Sequence, residues 1–196
     1  MNYIIVFILI FVSYIIGSVP FGLLVPKIFG YGDIRNIGSG NIGATNVLRT
    51  GNKKIAIIVL LFDFLKCYLP TFLVFNNFDE NTAALCGLFS IIGHIFPFWL
   101  RFNGGKGVAC FFGFLLAINP IFFLILLIIW LLIAYITKYS SLSSIISVFS
   151  TIFLFIIYDN NINIVIPLTI VSLIIFQHKK NIKRLIKNEE NKIKLK

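Results

Sequence analysis

The sequence predicts an all-α integral membrane protein, a polytopic bundle of seven transmembrane helices with its N-terminus outside and its C-terminus cytoplasmic. Three observations predict it. Hydrophobic residues make up 59% of the 196, with 22 Phe, and charged residues only 12%, about half of the roughly 25% found in an average soluble domain. Long apolar runs recur from end to end. The net charge of +10 gathers in a subset of the loops, which is how basic residues report membrane orientation. The same composition excludes coil disorder, collagen and disulfide scaffolds. It leaves no room for a separate soluble domain, so residues 1–196 read as a single transmembrane domain.

A span needs roughly 20 apolar residues, and about 17 suffice. The first, 3–24, has no basic leader and no small-residue cleavage site, so it reads as a retained span rather than a signal peptide. The second and third are 55–75 and 82–100. The stretch 108–136 is ambiguous, because as one helix it would measure about 43 Å against a hydrocarbon core of roughly 30 Å. Asn119-Pro120 lies inside it, and the residue before a proline is biased away from helix. The last two spans are 142–158 and 162–176. Loop charge resolves the ambiguity. With 108–118 and 120–136 as separate helices, the segments 27–54, 101–107, 137–141 and the tail after Gln177 share one side. Together they hold every Lys and Arg except Lys66. The opposite loops, 76–81 and 159–161, carry Asp79, Glu80 and Asp159 and no base. Seven spans with those four segments inside therefore satisfy the positive-inside rule.

The polar segments collect on that basic face. Loop one contains a literal G-x-G-x-x-G at Gly38, Gly40 and Gly43, but the dinucleotide fingerprint has force only inside a βαβ unit. What carries over is the physics: clustered glycines let backbone N–H groups approach an anion. Ser39, Asn41, Thr45 and Asn46 add neutral hydrogen-bonding groups, and Arg49 adds a phosphate fork. A flexible polar connector is the plain alternative. Loop two, GHIFPFWLRFNGGKGVA, sets Lys106 among Gly104, Gly105 and Gly107. Gly107 stands where a nucleotide phosphate loop needs Ser or Thr, yet a glycine-flanked lysine at a helix start still makes an anion site. The alternative for Lys106 is an orientation anchor. His94, on the incoming span, reads as a hydrogen-bonded structural residue rather than a base.

Ser140, Ser141, Ser143 and Ser144 open the sixth span, either as caps or as substrate contacts. In the tail, His178, Asn181 and Arg184 are spaced by three and fit one helix face, with Ile182, Leu185 and Ile186 for apolar contact. A basic juxtamembrane helix on anionic lipid is the alternative there. Asp63 and Lys66 stand at i, i+3 near the middle of the second span. Ionisable residues at that depth are costly and default to functional hypotheses, and mutual neutralisation as a brace is the favoured one. Cys67, Cys86 and Cys110 have neither CxxC nor metal spacing and read as inert buried thiols.

GSGNIGATNVLR (38–49), GHIFPFWLRFNGGKGVA (93–109) and HKKNIKRL (178–185) resemble the three motifs of the bacterial acyl-phosphate:glycerol-3-phosphate acyltransferases, the PlsY family. GSVPFGLLVPKIFG and LFDFLK extend the likeness over nearly the whole chain. The resemblance implies transfer of a fatty acyl group from acyl phosphate to the 1-position of glycerol 3-phosphate, giving 1-acylglycerol 3-phosphate and phosphate, the first acylation in bacterial phospholipid synthesis. It implies a multi-pass protein of the inner membrane with its site on the cytoplasmic face, no cofactor, no metal, no nucleic-acid partner, and a functional link to the enzyme that forms the acyl phosphate. Carried over residue by residue, it makes His178, Lys106 and Asn181 catalytic. It assigns the phosphate and glycerol groups to Ser39, Asn41, Thr45, Asn46, Arg49, Gly104, Gly105, Gly107, Ser141, Ser144, Arg184 and Glu190. Two positions depart from the family pattern: Lys179 stands where Arg is usual, and Asn188 where Gly is usual, just before Glu190.

The chemistry fits these residues. Acyl phosphate is already an activated anhydride, so the protein must supply positioning and donors for the developing oxyanion. No serine or cysteine has a base at motif spacing, so direct attack by the glycerol hydroxyl is expected, with His178 or a substrate phosphate oxygen as the base. An inner-membrane transporter of a phosphorylated or anionic small molecule is the alternative. Such a transporter would place its site near the bilayer midplane, whereas these motifs gather at one surface.

Overall fold

Proline and asparagine punctuate an otherwise helical chain. The structure, a computed structural model, describes residues 3–158 and 161–193, with no strand among them. The first apolar run is two helices, α1 (Tyr3–Ser18) and α2 (Phe21–Ile28), where one span over 3–24 was expected. The break falls at Val19-Pro20, since Pro20 has no N–H to continue the ladder and biases Val19 away from helix. A short α3 (Ala44–Val47) sits in the first loop. Then come α4 (Lys53–Asn77), α5 (Glu80–Ile95), α6 (Val108–Ile118), α7 (Pro120–Thr137), α8 (Ser140–Tyr158), α9 (Val165–Gln177) and α10 (Lys179–Ile186).

The stretch 108–136 divides as loop charge demands. Asn119 caps α7, its Oδ1 accepting from the N–H groups of Ile121 at 3.0 Å and Phe122 at 3.2 Å, and Pro120 occupies the first turn, where a missing N–H costs nothing. Asn52 caps α4 through Ile55 N–H, and Asp79 caps α5 through both the N–H and the hydroxyl of Thr82. Among the described residues, five stretches are long and apolar enough to cross a membrane: Tyr3–Ile28, Lys53–Asn77, Glu80–Leu100, Pro120–Thr137 and Ser140–Tyr158. Val108–Ile118 and Val165–Gln177 are shorter apolar helices. Large apolar residues such as Phe7, Phe11, Leu61, Leu131 and Ile157 point outward, as a lipid-facing surface requires and a wetted one does not. Asp159, assigned above to an outer loop, and Lys194 and Lys196 of the basic tail lie outside the described residues.

The chain forms two compact units, Met1–Ile118 and Asn119–Lys196. In the first, α4 packs against α5 and α6, and α1 against α5. The approach of α1 to α5 is close because both faces are small: a Cβ at Gly17 would lie 2.1 Å from the Ser90 carbonyl oxygen, and one at Gly93 would lie 2.3 Å from that of Tyr14. Small residues let helices in lipid gain dispersion contact where no hydrophobic drive separates tails from side chains. In the second unit α7 packs against α8 and α8 against α9, with the rings of Phe122 and Phe155 edge to face at 5.3 Å. All three cysteines are free thiols in buried positions, as their apolar settings predict.

Candidate functional site

The candidate residues fall into groups that each unit builds for itself. In the first unit, loop one is not a flexible connector. Ile34 and Val47 are fully buried and pack with Val25, Ile55, Ala56 and Val59, so an apolar cluster fixes the loop on α2 and α4. Asn46 then sets its shape from a buried position. Its Nδ2 donates to the carbonyls of Ile34 and Ile37, both at 3.0 Å, and its Oδ1 accepts from the Ser39 N–H at 2.9 Å and the Ser39 hydroxyl at 3.1 Å. Asn41 accepts from the Gly43 N–H at 2.9 Å and turns the chain into α3. These asparagines are committed within the loop, and what they hold in place is Ser39, exposed beside them. Thr45 and Arg49 are also exposed. The Arg49 side chain crosses over Gly38, where a Cβ would lie 2.7 Å from its Nη1 and 2.6 Å from its Cδ. Gly38 also has φ +55°, the left-handed region that favours glycine, and a Cβ there would lie 2.7 Å from Oδ1 of the buried Asn46.

Loop two folds back on the end of α5. Gly104 N–H donates to the Ile95 carbonyl and Gly105 N–H to the His94 carbonyl, both at 3.0 Å. These two amides are therefore engaged inside the protein, and the glycines serve the fit of the loop: a Cβ at Gly104 would lie 2.1 Å from the His94 carbonyl oxygen. Trp99 Nε1 donates to Ser18 at 2.8 Å and Tyr14 donates to the Phe96 carbonyl at 3.0 Å, tying the loop to the end of α1. Lys106 is half-buried and Gly107, at φ +86°, leads directly into α6. Below the loop, Lys66 Nζ lies 2.8 Å from Asp63 Oδ1, and His94 Nδ1 lies 3.5 Å from the same oxygen. Asp63 and Lys66 brace each other as expected. The histidine at their side joins two features that the sequence lists separately, and no motif spacing links positions 63 and 94.

In the second unit a carboxylate is the organising group. Glu190 accepts from the Ser141 hydroxyl at 2.9 Å and from Asn181 Nδ2 at 2.7 Å on Oε1, and from Arg184 Nε at 2.6 Å on Oε2. Burial pushes its carboxyl up, but the hydrogen bonds from Arg184, Asn181 and Ser141 outweigh it and leave the carboxyl below its ordinary value. A carboxylate so stabilised is a poor base, and Ser141 gains no activation from it. Ser144 donates to the Ser140 carbonyl and accepts from Trp130 Nε1 at 3.0 Å, a partner that sequence reading missed. His178 is buried, with Nδ1 2.8 Å from the Ile174 carbonyl. A carbonyl only accepts, so the neutral ring carries its proton on Nδ1 and Nε2 is the basic nitrogen. On α10 Asn181 and Arg184 share one face.

The departure at position 188 does not displace Glu190. Asn188 adopts φ +57°, its N–H donates to the Leu185 carbonyl, and the Glu189 N–H reaches the Arg184 carbonyl. Asparagine is the side-chain-bearing residue that best tolerates the left-handed region at a helix end, so it does glycine's work. Asn188→Gly is expected to keep the tail docked, and Asn188→Val to weaken docking by about 1–2 kcal/mol, read as faster tryptic cleavage at Lys187 and Lys192. The carboxyl's contribution is complete above its ordinary value of 4.5 and is lost as pH falls through the lower folded value.

The family model for glycerol-3-phosphate acyltransferase matches residues 7–188. A glycerol-3-phosphate acyltransferase of Ehrlichia canis (strain Jake) is 48% identical over 182 residues, covering 92% of this chain and 95% of its own. One from Pelagibacter ubique (strain HTCC1062) is 44% identical over 183 residues, covering 93% and 95%. The crystal structure of PlsY, an integral membrane glycerol 3-phosphate acyltransferase, in its glycerol 3-phosphate form matches with a TM-score of 0.91 at 35% identity, over 96% of both chains. Its lysophosphatidic acid form matches at 0.89 and 34%, over 96% of this chain and 95% of that one. With helices apolar enough to span a membrane several times and a likeness that runs over almost its whole length, the chain belongs to the glycerol-3-phosphate acyltransferase family of integral membrane acyltransferases.

Proposed function

We propose that this chain transfers a fatty acyl group from an acyl phosphate to the 1-hydroxyl of glycerol 3-phosphate, in one step and without an acyl-enzyme. The observation that carries the acceptor is the pair of matching PlsY forms, one with glycerol 3-phosphate and one with lysophosphatidic acid. The two differ by one acyl ester. The transporter alternative falls with the family assignment.

The donor and the mechanism rest on chemistry. The hydroxyl oxygen attacks the acyl carbonyl carbon, the bond from that carbon to the phosphate oxygen breaks, and inorganic phosphate leaves with the electron pair. His178 Nε2, made basic by the Ile174 carbonyl on Nδ1, takes the hydroxyl proton. Lys106 and Arg49 offset phosphate charge, with Thr45, Ser39 and Gly107 completing the contacts of the two loops. Ser144 adds a contact to the glycerol. Asn181 and Arg184, set by Glu190, donate to the reacting groups, and Ser141 holds that carboxylate from α8. No serine needs to act as nucleophile, because the leaving group is already good. No cofactor is required.

Seven crossings, N-terminus outside, belong to the same proposal, with residues 1–196 as one domain of the bacterial inner membrane and the site on the cytoplasmic face. Val108–Ile118 and Val165–Gln177 measure about 17 and 20 Å as helices, so their crossings use flanking residues or locally thinner lipid. Loop charge supports the orientation. A cysteine at position 77 is expected to react with an impermeant label from outside, and one at 103 only from inside. External labelling at 103 would overturn the topology.

Product analysis tests the activity. Purified protein with acyl phosphate and glycerol 3-phosphate is expected to yield 1-acylglycerol 3-phosphate and phosphate, and formation of neither would refute the proposal. Lys106→Ala and Arg49→Ala should each keep the fold and lose about 1.5–3 kcal/mol per charged hydrogen bond, roughly 10- to 150-fold in turnover efficiency. Near-normal turnover in Lys106→Ala would reduce that lysine to an orientation signal.

A further inference from the structure

We infer that His94, set beside Asp63, is a positioning residue that sets where loop two presents Lys106; this rests on the proposed role of Lys106 toward a substrate phosphate. The ring of His94 is the surface on which the loop sits. A Cβ built on Gly105 would meet Nε2, Cε1 and Cδ2 of His94 at 2.0, 2.6 and 3.0 Å, and these are its three nearest atoms. Gly105 does not have a positive φ, so its lack of a side chain answers to the imidazole and not to the backbone. The His94 carbonyl takes the Gly105 N–H, and the next carbonyl, of Ile95, takes the Gly104 N–H. One residue thus fixes the stretch before Lys106 by its ring and by its backbone.

The ring in turn stands over a buried ion pair. Its Nδ1 faces Asp63 Oδ1 at 3.5 Å, and that oxygen is 2.8 Å from Lys66 Nζ. Lys66 also donates to the Val19 carbonyl at 2.9 Å. That carbonyl lies at the break before Pro20 and also accepts from the Phe21 N–H at 3.0 Å. Asp63, Lys66 and His94 are all buried, at 2%, 4% and 4% exposure. An isoleucine or phenylalanine would fill the same volume at position 94 more cheaply. A polar ring at this depth is expected where its orientation matters, and the carboxylate is the charged group its Nδ1 faces. An intramembrane acid is thereby linked, through one imidazole, to a loop at the bilayer surface.

The linkage is tested by a double-mutant cycle read in the Michaelis constant for glycerol 3-phosphate, with thermal unfolding of each purified variant in detergent as the check on folding. His94→Ala and Gly105→Ala are each expected to raise that constant at least about tenfold, with a smaller change in kcat. Combined, the added methyl enters the space the ring has left. The double variant is therefore expected to have a lower constant than Gly105→Ala alone, a coupling of about tenfold. Additive effects, or single variants that lose thermal stability with the constant unmoved, would overturn the inference. Asp63→Asn is expected to raise the constant in the parent and to add nothing on the His94→Ala background. Should Asp63→Asn fail to fold, the His94–Gly105 cycle decides alone. Lys106→Ala is measured beside them. If it binds and turns over glycerol 3-phosphate normally, the proposed role of Lys106 is what fails; if it does not while the cycle is additive, only the positioning role fails.

Discussion

A carboxylate and an ammonium inside a membrane-spanning helix are the constraint on which the first unit depends. A single charge at that depth costs about 2.5–3.5 kcal/mol on insertion scales, so neither Asp63 nor Lys66 is tolerable alone. Paired at 2.8 Å, they turn α4 into a hub. Lys66 reaches the broken end of α1 through the Val19 carbonyl, and its own carbonyl accepts from Ser90 of α5. The Asp63 carbonyl accepts from Cys110 of α6 at 3.0 Å, and the Asp63 side chain faces His94. Removing one partner would leave the other charge buried and uncompensated, typically a loss of about 3–5 kcal/mol. Within the first unit, α1, α5 and α6 all meet α4 at these two residues.

The second unit solves a similar problem at its basic tail. There the cationic residues would repel one another, and one carboxylate, Glu190, gathers Arg184, Asn181 and Ser141 around itself. In both units an acid set among donors holds polar side chains in place, and in the second unit those side chains, Ser141, Asn181 and Arg184, are themselves candidates for substrate contact. This division explains why several polar motif residues, Asn46 above all, spend their hydrogen bonds on the protein. A phosphate site needs its charged donors held still, since positioning accounts for much of what a catalyst can add when the leaving group is already good.

Sequence legibility follows the range of each interaction. The Asn119-Pro120 break was readable because a cap and a proline act within four residues. The structure bears out the division of 108–136 into two helices, and the loop charge that also pointed to it is a matter of composition, not of contacts. Asn188 in glycine's place was readable as a departure, and its left-handed φ shows that the turn survived it. The Val19-Pro20 break carries a similar proline signal, but the apolar runs on both sides make Tyr3–Ile28 read as one span. The His94–Asp63 contact, the Trp130–Ser144 hydrogen bond and the seating of Gly105 on an imidazole join residues far apart in sequence or depend on ring orientation. No spacing rule reaches them. Likewise the glycines of loop two suggested open amides, and only the folded loop reveals that Gly104 and Gly105 donate to Ile95 and His94.

Direct transfer is the central chemical claim, and it rests on what the candidate nucleophiles are doing. Ser141 donates to a carboxylate whose basicity is lowered, Ser144 donates to a backbone carbonyl, and the cysteines are buried. The most direct measurement is the intact mass of the protein after incubation with acyl phosphate alone, followed by addition of glycerol 3-phosphate. The account predicts an unchanged protein mass in the first stage and 1-acylglycerol 3-phosphate only after the second. An acyl-mass adduct that forms without the acceptor and is chased into product when the acceptor arrives would contradict it.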